Sequence, residues 1–164
     1  MALFLLTFNA LALSDPSNDS IKLANNVDKP LTGSSDILLV ALNHTELSNC
    51  SDSIVIGTVK EILPSRWNTI DGKRPDNTDS FSPFCFIYTD TVISVDKYLK
   101  NPLSSEEVIV RVEGGTVGND ALTVNPVPSF KTGEKVLLYL IKDDSPGTKD
   151  IDPEHFIVTG ALQG

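Results

Sequence analysis

The residues VEGGTVGN, 112 to 119, place three glycines within five positions, directly after an alternating apolar run. A phosphate-cradling loop needs its glycines followed by Lys and Ser or Thr at the head of a helix, so that backbone amides and the ammonium converge on the anion. Here Gly118 is followed by Asn119 and Asp120, whose charge repels phosphate, and then by ALTVNPVP, whose prolines oppose a helix. The glycines are expected to supply positive φ in a turn that leaves a strand at a barrel rim.

Other candidate clusters are also poorly spaced for chemistry. KDDSPGTKDIDPE, 142 to 154, offers Asp143, Asp144, Asp150, Asp152 and Glu154, but lacks the ordered oxygen alternation of a calcium loop. It is expected to be a solvated turn. His44, His155, Cys50 and Cys85 equal a zinc site in number, yet no two have ligand-like local spacing. No metal, cofactor or catalytic residue is assigned, since neither GxSxG nor HExxH occurs. Triads defined by geometry alone stay outside the reach of one sequence.

The connection LPSRWNTIDGKRPDNTDSFSPFC, 63 to 85, is richer. It carries the single tryptophan, Trp67, beside Arg66, with Lys73 and Arg74 following: a local basic and aromatic patch on an acidic chain. Trp and Arg are enriched at binding hot spots, and a connection of more than about 15 residues is usually functional or disordered. These four residues are the candidate binding set. The competing reading folds Trp67, Phe81, Phe84 and Phe86 back onto the barrel.

Thirteen Lys and Arg stand against 22 Asp and Glu in 164 residues, a net charge of -9. Nucleic acid and anionic membrane are thereby disfavoured, because both bind through clustered positive charge. MALFLLTFNALAL, 1 to 13, is too short to span a bilayer as a helix, and is expected to be a truncated export signal. Residues 14 to 34 read as a polar linker and 35 to 164 as the domain; the natural chain is expected to continue beyond Gly164. Asn18, Asn43 and Asn49 each begin an Asn-x-Ser/Thr triplet, which suits an exported, extracellular or cell-surface protein. Export permits a Cys50–Cys85 bridge, but a plain hairpin of the strands that follow them holds the two apart, so free thiols are expected.

Five strands are expected to position these groups. SIVIGTVKEI has Ile54 and Ile56 on one face and Val59 on the other parity, with a bend at Gly57. FIYTDTVISV alternates, Ile87, Thr89, Thr91, Ile93 and Val95 facing in and Tyr88, Asp90, Ser94 and Asp96 facing out. EEVIVRVEGG does the same with Val108, Val110 and Val112 inward and Arg111 and Glu113 outward. KVLLYLI, 135 to 141, reads as buried on both faces, and HFIVTG, 155 to 160, is the fifth. SSDILLVALNHTEL, 34 to 47, has Ser and Asp caps and helical spacing, and predicts one short helix. The expected fold is mainly β: a five-stranded OB-like barrel with one short N-terminal helix. An open β-sandwich is the alternative.

SDSIVIGTVKEI, TDTVISVDKYLKN and FKTGEKVLLYL resemble the first, second and fourth strand motifs of the netrin-like module, the OB-fold barrel of tissue inhibitors of metalloproteinases. HFIVTGALQG is similar to the ending of uncharacterised exported prokaryotic proteins with that strand order. The resemblance spans about residues 36 to 164 and implies a fold. In the inhibitors, a disulfide-fixed N-terminal cysteine presents its amine and carbonyl to the protease zinc. Neither Cys50 nor Cys85 is N-terminal, so that mechanism does not carry over.

The function expected is a non-catalytic exported domain that binds a protein or cell-envelope component through the 63–85 loop. The alternatives are a hydrolase with a site at the barrel mouth, which requires a pocket with converging polar groups, and OB-type binding of single strands, which the acidic balance opposes.

Overall fold

The computed structural model describes residues 29–36, 41–151 and 153–159. Among them the elements run β1 (Thr32–Asp36), α1 (His44–Cys50), β2 (Ser53–Ile62), β3 (Arg66–Trp67), β4 (Ile87–Lys100), β5 (Glu107–Glu113), β6 (Gly115–Val117), β7 (Asp120–Asn125), β8 (Lys135–Lys142) and β9 (Phe156–Val158). The expected export signal at 1 to 13 lies outside the described residues. No described helix is long and apolar enough to cross a membrane.

β2, β8, β9, β5 and β4 follow one another around a closed five-strand barrel, sealed by antiparallel pairing of β2 with β4. The pairing of β5 with β9, at Val110 and Phe156, is parallel. Alternation fills the interior with Val55, Val59, Ile93, Val108, Val110, Val136, Leu138, Leu140 and Phe156. All five expected strands are present. One phase differs: Val55, Gly57 and Val59 share the inner face, so the parity break expected at Gly57 does not occur within β2. The irregularity expected at Gly57 lies instead in the register with β4, which shifts between Ile56 and Gly57 and also between Ile54 and Val55 and between Val59 and Glu61. There the two strands approach so closely that a Cβ on Gly57 would meet Ile93 Cγ2 and Ser94 O, each at 2.6 Å. Only glycine fits.

A three-stranded sheet, β1-β7-β6, forms a second layer. It covers a second core of Trp67, Phe86, Ile87, Tyr88, Leu122 and Val124. Ser34, Ser35 and Asp36, expected to open a helix, instead form β1, which pairs in parallel with β7. The helix starts ten residues later, at His44, because Asn43 is the stronger cap: its side chain accepts from Thr45 N and Glu46 N, and Glu46 returns a bond to Asn43 N. Of the helical run proposed for 34 to 47, residues 37–40 lie outside the described residues.

α1 closes the outer face of β8. Leu47 packs with Ile54 and Tyr139, and Tyr139 Oη lies 3.2 Å from His44 Nδ1. β8 is therefore buried on both faces, as its unbroken apolar run predicts. Cys50, on α1, and Cys85, in the 63–85 connection, are free thiols.

Candidate functional site

The 63–85 connection is folded rather than loose. Trp67 is fully buried, stacked on Phe81 with ring centroids 5.2 Å apart. β3 pairs with the start of β4, Arg66 opposite Tyr88 and Trp67 opposite Ile87. Beyond it, Asn68 N donates to Phe86 O at 2.9 Å, and Phe86 N donates to Asn68 Oδ1 at 2.8 Å. The ribbon is thus closed by a side chain where the strand ends.

The four candidate binding residues separate into two pairs. Trp67 belongs to the second core and offers no surface. Arg74 is a staple: Nη1 donates to Asp120 Oδ1 at 3.0 Å and to Lys29 O at 2.8 Å, while Nε donates to Thr78 O. Arg66 and Lys73 are exposed. The apolar side chains that face solvent here are Ile70, 96% exposed, which the hot-spot reading did not include, and Phe84, 74% exposed, which does not fold back onto the barrel as Trp67 and Phe86 do. Each sits two residues beyond the Asn68–Phe86 pair.

In the 142–155 connection Asp144, Asp150 and Glu154 are exposed, as in the expected solvated turn, but one side of it is not. Asp143, Thr148 and His155 are buried. Asp143 Oδ2 accepts from His155 Nε2 at 2.8 Å and from Thr148 Oγ1, and Oδ1 accepts from Ser145 N at 2.9 Å. Burial acts to raise its pKa, but the hydrogen bonds from His155, Ser145 and Thr148 win and hold it well below the usual carboxylate range. His155 Nδ1 faces Pro153 O at 2.8 Å.

This segment also explains why Tyr88, Asp90 and Arg111, expected on the outer barrel face, are buried. Asp90 and Arg111 stand directly opposite each other on β4 and β5. The guanidinium grips the carboxylate with two bonds, Nε to Oδ1 at 2.7 Å and Nη2 to Oδ2 at 2.8 Å. Nη1 reaches Thr148 O and Ile151 O across the covering segment. The guanidinium also lies 3.8 Å above the Tyr88 ring.

The glycines of VEGGTVGN have the expected positive φ: 107° at Gly114, 134° at Gly115 and 60° at Gly118. Gly114 and Gly115 turn the chain from β5 into β6. A Cβ on Gly115 would collide with Ser65 Oγ and Thr89 Oγ1. Gly118 and Asn119 form the two-residue loop between β6 and β7.

That turn forms one wall of a cleft at the barrel mouth. A groove of about 360 Å3 runs past Thr89, Thr91, Leu122, Val124 and Phe130. A narrower cavity of about 140 Å3 reaches Phe86, Arg111, Asp143 and Thr148. Val112, Glu113, Val127 and Pro128 line both, so Glu113 stands where they meet. Burial pushes the Glu113 carboxyl above the ordinary range, and the Asp143 charge adds to the shift. Among the described residues, no group of three or more His, Cys, Asp or Glu is arranged to hold a metal. Compared with family models, with curated proteins and with solved structures, the chain matches none.

Proposed function

We propose that this chain is an exported, non-catalytic interaction domain on an OB-type, netrin-like barrel, and that the 63–85 connection docks a protein or cell-envelope partner. The fold part of this reading is supported by the closed five-strand order, with its third and fifth barrel strands parallel. The observation that carries the binding part is the outward placement of Ile70 and Phe84 on a backbone pinned by buried Trp67 and the Asn68–Phe86 pair. A backbone already ordered before docking lowers the entropy cost of presenting two large apolar side chains. Arg66 and Lys73 add exposed positive charge on the same connection.

The cleft at Glu113 favours the hydrolase reading on one count, a carboxyl with a raised pKa in a pocket. Its one hydroxyl bonded to a carboxylate among the described residues, Thr148, is buried against Asp143, whose lowered pKa makes it a weak base. His155 Nε2 is bonded to Asp143 and Nδ1 faces Pro153 O, so neither ring nitrogen is turned toward a hydroxyl that it could activate. Non-catalytic binding is therefore the better reading.

The test is capture from a cell-envelope extract with the native chain beside Ile70→Ser/Phe84→Ser and Arg66→Ala/Lys73→Ala. The expected result is a partner held by the native chain, lost with the apolar pair and weakened with the charged pair, at unchanged thermal midpoints. Equal capture by all three forms, or by none, sinks the docking surface.

A further inference from the structure

The charges around the barrel-mouth cleft do not balance. Arg111 is matched by Asp90, which takes two of its donors, and carbonyls of the covering segment take the third nitrogen. Asp143 is matched by His155, Thr148 and Ser145 N. Glu113 is left over: none of the ion pairs among the described residues includes it. Whether His155 carries its proton or not, the cleft is short of positive charge. Val112, Leu122, Val127 and Phe130 give the groove an apolar stripe beside Glu113, next to the threonines at 89, 91, 116 and 123 that also line it. The volume of about 360 Å3 falls in the range of small-molecule sites, about 300–1,000 Å3.

We propose that the cleft binds a small organic ammonium, an alkyl primary amine whose cationic head pairs with Glu113 and whose tail lies along Val112, Leu122, Val127 and Phe130. An anionic ligand meets Glu113 and Asp143, the two carboxylates that line the narrower cavity, while Arg111 is already committed. A neutral alkyl chain fills the groove but leaves the half-buried carboxyl unpaired, which forfeits the charge-assisted bond. The amine alone satisfies both surfaces.

Protonation gives the site a signature. Pairing with an ammonium favours ionised Glu113, whereas burial and Asp143 favour the protonated form. Binding in the acidic range therefore displaces a proton from Glu113. Affinity rises with pH above the ordinary glutamate value of 4.5 and levels off once the carboxyl is ionised, while an alkylamine, like lysine, keeps its charge to about pH 10. The other titrating group that faces the cleft, Asp143, is ionised throughout this window.

The full chain is titrated by calorimetry with hexylamine, hexanol and hexanoate, from about pH 5 to about pH 8. Saturable one-to-one binding of hexylamine is expected, tightening with pH. Hexanol and hexanoate are expected to bind at least about tenfold more weakly, and Glu113→Gln to lose about tenfold in hexylamine affinity together with the pH dependence. Failure to saturate, equal affinity for hexanol, or an unchanged Glu113→Gln variant overturns the proposal. Amide shifts in the native protein provide a readout independent of any variant. Changes centred on Val112, Glu113 and Val127 support the site, and changes elsewhere overturn it. Both outcomes are separate from the Ile70 and Phe84 surface.

Discussion

The 63–85 and 142–155 connections cover neighbouring parts of one barrel face by opposite chemistry. The first lays Trp67 and Phe81, joined by Phe86 just after it, over the start of β4, an apolar cover whose strength comes from area removed from water. The second lays Asp143, Thr148 and His155 beside the Asp90–Arg111 pair, a polar cover in which every charge has a partner at hydrogen-bond distance. They meet at Tyr88, which packs in the aromatic core and carries Arg111 on its ring. An aromatic cover loses stability in proportion to the side-chain volume removed, whichever residue it is taken from. An ionic cover fails abruptly when one partner is removed, and recovers when the other goes too.

That contrast gives the largest expected effects. Trp67→Ala should cost about 3–5 kcal/mol, the usual loss for a buried aromatic, with no second substitution that restores it. Arg111→Met should cost a comparable 3–5 kcal/mol or so, because Asp90 is left buried and unpaired. Asp90→Leu/Arg111→Met should regain at least half of that loss. Urea midpoints of the three variants decide the matter. A double variant no more stable than Arg111→Met would mean that the ionic cover depends on its carbonyl contacts with Thr148 and Ile151 more than on charge balance.

The next effect is pH-dependent. The folded pKa of Asp143 lies below its unperturbed value of 3.8. Its contribution is therefore fully present above that value and is lost as pH falls below it. Asp143→Asn should cost about 1–3 kcal/mol near neutral pH, the range for a lost buried hydrogen bond to a charged group. The difference between native and variant should shrink as pH falls below about 4. Glu113 has the opposite sign: its raised pKa disfavours the fold as pH rises above 4.5, so Glu113→Gln should be more stable than native near neutral pH. Thermal melts across pH check both slopes, and a parallel pH profile for native and Asp143→Asn would break the comparison.

The two covers also differ in how far they could be read from sequence. The barrel strands were legible because alternation and the apolar run of β8 report burial directly. The aromatic cover was half legible: Trp67 and Phe81 announce that they need a partner, yet the same residue types also suggest a binding surface, and composition does not separate the two. The ionic cover was illegible. Asp143, Ser145, Thr148 and His155 sit among Pro, Gly and Lys, the composition of a solvated turn, and their burial depends on Arg111, distant in sequence, projecting from the barrel to meet their backbone. β1 was hidden for a related reason: TGSSD has no strand pattern, and its pairing is dictated by β7. Glu113 looked like an ordinary outward glutamate because the wall that half-buries it, Val127 and Pro128, comes from a later loop.

The smallest expected effect tests the seam between the covers. Tyr88 Oη is buried with no hydrogen-bond partner among the described residues, and burial pushes its phenol pKa up. An unsatisfied buried hydroxyl costs about 1–3 kcal/mol, and deleting it leaves the ring in contact with Arg111. Tyr88→Phe should therefore leave stability unchanged or raise it by up to about 1 kcal/mol, once the lost packing of one atom is set against the relieved desolvation. A loss greater than about 1 kcal/mol in urea would mean that the hydroxyl is bonded after all. In that case the polar cover extends across Tyr88 toward Trp67, and the boundary drawn here between aromatic and ionic halves falls in the wrong place.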